Sequence, residues 1–543
     1  MNDQTTTPAR ASRAASFLIA TGILLSRIVG LVRERVVATY FGTGLHADVF
    51  SAGLRMPNVL QNLLGEGTLS ASFIPVYSEL LGQGRTQEAG RVAGAMFALL
   101  LAIAGAISLL GIVLAPVLVT VFTPGFEGQR RALMIAIVRI IFPMTGVLVL
   151  SAWSLGILNS HRKFFIPYFA PVLWNAAIIG ALVAFSRRVD LDALLMAAAW
   201  GALVGGFLQF GIQLPWVLKL DREIRLNTGR REPSFKEAVR NAGPAIMGRG
   251  VVQVSTYVDM VLASLLAIGA LARIRYAQTL YVLPVSLFGM SVAAAELPEL
   301  ARERSSATEV LRARALAAAR RVSFFVVPSL VAFLLLGDVI VAGIYRAGQF
   351  GAADVKVVWL TLAAYSVGLL ASTNTRIYQS AFFALRDTKT PARIAAMRVL
   401  ASAIAGAVLM TQFESITVGS LTIPAGLFAN VRVAGLPLGP IGLALGAAVG
   451  AWLEWSLLRS RLARRIGTVG AGASELSRMF AAALIAAAAG YAVRLAAPAL
   501  HPLLAAAVVM GVFGIVYLVV ARMLGLAEAR VFVDSLKRRA RRR

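Results

Sequence analysis

Apolar runs long enough to cross the roughly 30 Å hydrocarbon core of a bilayer recur from one end of this chain to the other. No water-soluble core absorbs that much apolar surface: 58% of the 543 residues are hydrophobic and 15% charged, and the mean hydropathy is +0.76. Set against charged, Gly- and Pro-containing breaks, the runs predict an all-α integral membrane protein of about 14 transmembrane helices. The spans lie near residues 14–41, 46–80, 91–122, 131–159, 166–186, 191–219, 237–268, 273–300, 316–337, 356–384, 391–411, 437–459, 476–497 and 502–524. The first has no A-x-A-like cleavage site after its apolar part and runs on into charged helix, so it reads as a retained helix rather than a signal peptide.

Loop charge orients the spans. Every second connection is basic: Arg85 and Arg91, Arg162 and Lys163, residues 219–240, residues 302–321, Arg386 with Lys389 and Arg393, and residues 459–465. Both termini share that sign, with Arg10 and Arg13 at one end and Lys537-Arg-Arg-Ala-Arg-Arg-Arg543 at the other. Intervening loops such as 42–47 and 123–129 are poor in Lys and Arg, so the positive-inside rule places both termini in the cytoplasm and makes the number of spans even. The formal net charge of +27 therefore sits mostly at cytoplasmic edges, where topology and anionic lipid headgroups account for it without a nucleic-acid partner. The chain has no Cys and three His, which excludes a disulfide framework and any Cys-based metal site and argues against a His-rich one, so no metal or other cofactor is expected.

The chain also repeats itself. Thr123-Pro-Gly-Phe126 is echoed by Ala347-Gly-Gln-Phe350, and Asn159-Ser-His-Arg-Lys-Phe-Phe-Ile-Pro167 by Leu385-Arg-Asp-Thr-Lys-Thr-Pro391, so that Phe126 to Phe350 and Pro167 to Pro391 have the same offset. Pro75 in Phe73-Ile-Pro75-Val-Tyr-Ser-Glu79 is echoed by Pro298 in Glu296-Leu-Pro298-Glu-Leu at an offset shorter by a single position. Three landmarks in one register predict two pseudo-symmetric six-helix lobes of like orientation, the arrangement in which transporters hold a substrate between repeats and rock one against the other. The expected organisation is a cytoplasmic segment 1–13, a first lobe 14–219, a cytoplasmic linker 220–236, a second lobe 237–459, a linker 460–475, two additional helices 476–524 and a basic cytoplasmic tail 525–543.

Charges inside spans are costly and mark functional positions. In Ser26-Arg27-Ile-Val-Gly30-Leu-Val-Arg33-Glu34-Arg35, Arg27 and Glu34 share a helix face and Arg27 lies deepest. Arg33 and Arg35 are open to snorkelling or to pairing with Glu34, whereas Arg27 is read as facing a cavity. The repeat places Arg249 of the seventh span within two residues of the position equivalent to Arg27, predicting a cationic cavity. The second span adds Asp48, Arg55, Asn58, Gln61, Asn62 and Glu66; Arg55, Asn58 and Asn62 are read as one stripe of one helix that Pro57 loosens midway. Asp259 and Arg376 are single intramembrane charges open to either a site or an ion pair, and Arg273 and Arg275 begin the eighth span where an interfacial anchor is the simple account.

Excess cations between apolar lobes suit an anionic amphiphile, since Arg grips phosphate oxygens bidentately. No ATPase P-loop occurs, so the driving force falls to the membrane potential, an ion gradient or the cargo gradient. No metal constellation, nucleophile–His pairing or Gly-rich phosphate loop points to an enzyme.

An ordered set of motifs resembles the MurJ (MviN) lipid II flippase family of the multidrug/oligosaccharidyl-lipid/polysaccharide exporter superfamily. The set comprises residues 26–34, Ala47-Asp-Val-Phe50, Met56-Pro-Asn58, Gly65-Glu-Gly67, Phe73-Ile-Pro75, Thr123-Pro-Gly-Phe126, Ile157-Leu-Asn159, Phe169-Ala-Pro-Val-Leu-Trp-Asn175, Gly243-Pro-Ala245, Ala364-Tyr-Ser-Val-Gly368 and Asp387-Thr-Lys-Thr-Pro391. The resemblance implies fourteen helices in the bacterial cytoplasmic (inner) membrane. It also implies movement of undecaprenyl-pyrophosphate-linked peptidoglycan precursor, lipid II, to the outer leaflet by alternating access, with membrane lipids and cell wall synthesis proteins as further partners. Arg27 and Arg33 match the family's first-helix arginines and Asp48 its acidic residue at the start of the second helix. Where the family has a basic residue after Pro-Asn-x-Leu this chain has Gln61 and Asn62, and in place of Ala-Asp-Arg it has Ala277-Gln-Thr279; Arg55, Arg249 and Arg275 are the candidates to compensate. Asp259 matches the acidic residue of a proposed sodium site, whose expected partners are missing from residues 397–410. The alternative class is a diverged paralogue that exports another lipid-linked glycan or acts as a non-transporting scaffold of wall synthesis.

Overall fold

The computed structural model describes residues 7–224, 231–290, 308–418, 421–496 and 500–540, and these are helical almost throughout. The chain runs through α1 (Thr7–Phe41), α2 (Leu45–Arg55), α3 (Asn58–Leu64), α4 (Glu66–Gly82), α5 (Thr86–Val113), α6 (Ala115–Phe122), α7 (Gly128–Ser160), α8 (Phe165–Phe185), α9 (Leu191–Leu220) and α10 (Pro233–Ser264). It continues with α11 (Ala270–Pro284), a π-helical turn (Val285–Met290), α12 (Thr308–Leu335), α13 (Gly337–Tyr345), α14 (Ala352–Ser366), α15 (Leu369–Ala384) and α16 (Lys389–Thr411). A two-stranded antiparallel hairpin, β1 (Ile416–Val418) and β2 (Leu421–Ile423), precedes α17 (Gly439–Ile466), α18 (Ala473–Ala496), α19 (Pro502–Met523) and α20 (Ala527–Ala540).

Among the described residues nine helices are long and apolar enough to cross a membrane, or ten if α14 and α15, bent by 41° at their junction, count as one span. The other expected spans are α1, the broken series α2 to α4, α10, and α11 with its π-helical turn, which length and apolarity alone do not single out. The chain divides into two compact units, Met1–Leu265 and Leu266–Arg543. In the first, α7 is central and packs on α9, α5, α4 and α2, while α8 lies against α9 and α1. Its core is close-packed: Trp153 of α7 is 1% exposed and donates its indole N–H to the Ala93 carbonyl of α5 at 3.1 Å. α10 packs on α3, α4, α5 and α6 and belongs to this compact unit. In the second unit α17 packs on α16, α15 and α14, α12 contacts α15 and α18, and α18 pairs with α19, which also covers α13.

Helix boundaries recur at the spacing of the sequence landmarks. Gly128 and Ser160, the ends of α7, precede Ala352 and Ala384, the outer ends of α14 and α15, by the offset that separates Phe126 from Phe350, and the starts of α8 and α16 are related in the same way. The turns agree in detail. Arg162 and Arg386 both adopt φ 58°, and each sits in a turn closed by the same two backbone bonds: Arg162 N–H to Asn159 O and Lys163 N–H to Leu158 O, Arg386 N–H to Phe383 O and Asp387 N–H to Phe382 O. This is the left-handed helix stop usually given to Gly, here filled by Arg. The landmark at Pro298 lies outside the described residues.

The halves differ between their last two helices. Residues 186–190 join α8 to α9, whereas residues 412–438 separate α16 from α17 and hold the hairpin. Glu414 ties this insertion down by accepting the Ala267 backbone N–H at 2.5 Å, in the loop between α10 and α11. Burial pushes the Glu414 carboxyl above the usual carboxylate range, against the lowering effect of that N–H and of Arg273.

A left-handed conformation costs a non-Gly residue about 1–2 kcal/mol, part of which Gly returns through its larger unfolded-state entropy. Arg162→Gly and Arg386→Gly should therefore each stabilise by about 0.5–1 kcal/mol, read as a raised thermal midpoint in detergent, and Val at either site should lower it. For Glu414, a folded-state pKa above the unfolded value means that stability is full below the unfolded pKa. It is lost as pH rises through the folded pKa. Glu414→Gln should abolish that component, so the wild-type midpoint should fall relative to the variant as pH rises from about 4.

Candidate functional site

The second expected span is two breaks and three short helices. α2 ends at Arg55, and Pro57, with no N–H to give, sits at the N-cap of α3. The carbonyl left there is satisfied from α10: Tyr257 donates its hydroxyl to Met56 O at 3.0 Å. The second break is at Gly65, where a Cβ would lie 2.1 Å from the Gln61 carbonyl oxygen, a clash only Gly avoids. Irregular backbone at membrane depth is tolerated where protein buries it or where it lines a polar cavity, and such a cavity lies beside this break.

The cavity is about 360 Å³. Gln61 and Asn62 of α3, Glu66 and Ser70 of α4, Ser151 of α7 and Gln209 of α9 supply its polar groups, and Leu148, Leu155, Pro167 and Pro171 are among its apolar ones. It thus joins three residues expected from sequence, Gln61, Asn62 and Glu66, with three that were not. Ser151 is 3% exposed and accepts two amide N–H bonds, from Gln213 Nε2 at 2.6 Å and Gln209 Nε2 at 3.2 Å. Gln213 also donates to the Gln209 carbonyl at 2.8 Å. The i, i+4 spacing of the two glutamines on an otherwise apolar α9 is the signal by which they could have been found.

Among the described residues no Arg or Lys lines this cavity, whose polar groups are amides, hydroxyls and one carboxylate. Arg27 and Arg33 of α1 are not among its lining residues. Arg33 is half-buried and pairs with the buried Glu34 at 2.5 Å, which decides between snorkelling and pairing. Its guanidinium lies 4.9 Å from the Trp174 ring centroid. Trp174 is fixed by an indole N–H bond to Ala202 O at 3.1 Å and by Gly205, where a Cβ would come within 2.8 Å of the Trp174 carbonyl. Arg27 is exposed. α1 meets α8 at Gly22 beside Tyr168 and at Gly30 beside Asn175, which sets Arg27 at the level of Pro171, one of the cavity's lining residues.

Other expected site residues separate. Asp48 is fully buried and bonded to Arg130 of α7 at 2.5 Å, while Arg130 stacks 3.7 Å from the Phe126 ring centroid. Asp48 therefore faces a helix partner and not the cavity. Arg55 is half-buried on α2 and Asn58 exposed on α3; the break at Pro57 prevents the single stripe that sequence periodicity suggested. Asp259 is half-buried on α10, and the Arg249 side chain lies outside the described residues. Arg275 belongs to α11 of the second unit, where Thr279 donates to its carbonyl at 2.9 Å and neighbouring Gln278 donates to the Tyr365 hydroxyl at 2.9 Å.

Among the described residues no group of three or more His, Asp or Glu could hold a metal ion. Removing one partner of a buried ion pair strands the other charge, at about 3–5 kcal/mol, whereas replacing both by apolar groups is often close to neutral. Asp48→Ala should therefore lower the thermal midpoint steeply and Asp48→Leu with Arg130→Met should restore most of it, as differential scanning fluorimetry can read.

The family model for lipid II flippase MurJ matches residues 37–522. The lipid II flippase MurJ of Burkholderia cenocepacia is 32% identical over 417 residues, covering 76% of this chain and 79% of that protein, and the probable lipid II flippase MurJ of Rhizobium tropici is 32% identical over 398 residues, covering 72% and 74%. In fold the chain is similar to a solved lipid II flippase MurJ in an inward closed conformation, with a TM-score of 0.74 at 23% identity over 93% of this chain and 98% of that one. It is also similar to an inward-facing multidrug resistance MATE transporter of the MOP superfamily, with a TM-score of 0.60 at 16% identity over 80% and 95%. A family match across most of the chain, relatives at this identity and the same helical fold together make this multi-pass membrane protein a member of the MurJ lipid II flippase family.

Proposed function

We propose that this protein is a lipid II flippase that moves undecaprenyl-pyrophosphate-linked disaccharide-peptide from the inner to the outer leaflet of the bacterial cytoplasmic membrane by alternating access. The observation that carries the reading is the family match over residues 37–522, which takes in the polar second span and every cavity-lining residue. The alternation of basic and Lys/Arg-poor loops supports fourteen spans with both termini cytoplasmic. Arg27, exposed at cavity level, is the cation best placed for the pyrophosphate, and Arg33 is held beside it on α1 by Glu34 and Trp174. Transport leaves the cargo chemically unchanged, and cell wall synthesis proteins belong to this reading as proposed partners.

Depletion in the native organism should make lipid-linked precursor accumulate in the inner leaflet, and an unchanged inner-leaflet pool would refute the proposal. With purified protein in proteoliposomes, labelled lipid II should become accessible at the outer leaflet, with and without an imposed potential reporting the energy source. Arg27→Glu puts a carboxylate where a phosphate must approach and should cut the flipping rate at least about tenfold, read alongside the thermal midpoint so that loss of transport is separated from loss of fold.

A further inference from the structure

The cavity of the first unit has a polarity unlike that of a phosphate site. A phosphate offers only acceptors and negative charge, so it is met by arginines, lysines or converging N–H groups. Here both N–H groups of the Gln213 amide are already spent, as is one of the two of Gln209. Gln213 Nε2 donates to Ser151 Oγ and to the Gln209 carbonyl, and Gln209 Nε2 donates to the same Ser151 oxygen. Ser151 therefore uses its oxygen as the acceptor of two bonds and keeps its own O–H to give. Gln213 Oε1 is buried without a hydrogen-bond partner on a residue only 1% exposed. The cavity thus presents the Ser151 hydroxyl beside the Gln209 amide, with the Ser70 hydroxyl, the Gln61 and Asn62 amides and the Glu66 carboxylate also lining it. Leu148, Leu155, Pro167 and Pro171 give it apolar walls.

We propose that this cavity is a sugar subsite: Ser151 and Gln209, positioned by the buried Gln213 behind them, together with Gln61 and Asn62, recognise the hydroxyl and acetamido groups of an N-acetylated hexose. The inference rests on the flippase reading and deepens it by separating the headgroup into a phosphate part, left to the arginines of α1, and a glycan part held by neutral groups. Hexose hydroxyls donate and accept at once, and the acetamido group adds an N–H for an amide carbonyl and a C=O for the Ser151 hydroxyl. The apolar faces of the ring lie against Leu and Pro. A volume of about 360 Å³ is at the small end of ligand cavities, the scale of one or two sugar rings. Sites that hydrogen-bond a polar group discriminate strongly against ligands lacking it, because their own buried groups are then left unpaired.

Saturation-transfer NMR on the detergent-solubilised full-length protein, with N,N′-diacetylchitobiose as the soluble probe, tests the subsite directly. The probe should receive saturation from the wild type, the signal should fall at least about fivefold in Ser151→Ala and in Gln209→Leu, and inorganic pyrophosphate should not displace it. Full displacement by pyrophosphate, or equal signals from wild type and from both variants at unchanged thermal midpoints, overturns the proposal. In proteoliposomes the same variants should lose about tenfold in affinity for lipid II and keep their affinity for sugar-free undecaprenyl pyrophosphate within about twofold; an equal loss for both ligands also overturns it. The two readings fail separately. A wild type that binds the disaccharide but does not move lipid II refutes the flippase and keeps the sugar site, and one that moves lipid II but gives no sugar signal does the reverse.

Discussion

Hydrocarbon offers a backbone nothing to bond to, and the structure follows from meeting that demand segment by segment. Helices meet it internally, so the chain is helical almost throughout its described residues. Where a helix stops at membrane depth another group must take over. Tyr257 does so at the end of α2, and the Gly65 turn folds back onto the Gln61 carbonyl at the start of α4. These substitutions let α3 stand as a short separate element, and the polar cavity opens beside it. The site is thus a consequence of how a broken span is kept satisfied.

Charge obeys the same rule. Asp48 with Arg130, Arg33 with Glu34 and Trp174, and Glu454 with Arg398 at 2.6 Å and Gln379 at 3.0 Å are each met by partners on the same or a neighbouring helix. A buried pair of this kind holds elements in register more than it adds net stability, because desolvation offsets much of the attraction. An intramembrane charge is therefore weak evidence for a ligand until its partner is known. Arg27 and Arg33 share one helix, yet one is exposed and the other is packed over an indole.

The internal repeat shows which features belong to the architecture and which to this chain. Helix boundaries and left-handed Arg turns recur at one fixed offset, so the two halves share a folding plan down to single hydrogen bonds. The hairpin at residues 416–423, tied by Glu414 to the loop before α11, has no counterpart between α8 and α9. A carboxylate held in protein at a chain reversal marks where the second half departs from the first.

Hydropathy, loop charge and repeated landmarks, each a local property of the chain, were enough to specify a helical membrane protein of two related halves. They also found Gln61, Asn62 and Glu66, because three polar residues crowded into one span stand out against an apolar background. They did not single out Ser151, one of several small polar residues of α7, although the i, i+4 pair Gln209 and Gln213 on α9 was legible, and they could not tell that Asp48 turns toward Arg130. Periodicity assigned Arg55 and Asn62 to one stripe, since a linear pattern does not reveal that Pro57 and Gly65 cut the helix. Which polar groups converge depends on the packing of α3, α4, α7, α8 and α9, helices distant in sequence. Only that packing decided that the cavity is walled by amides and hydroxyls while Arg27 and Arg33 of α1 are not among its lining residues, because hydrogen-bond partners are chosen by proximity in space and not by spacing along the chain.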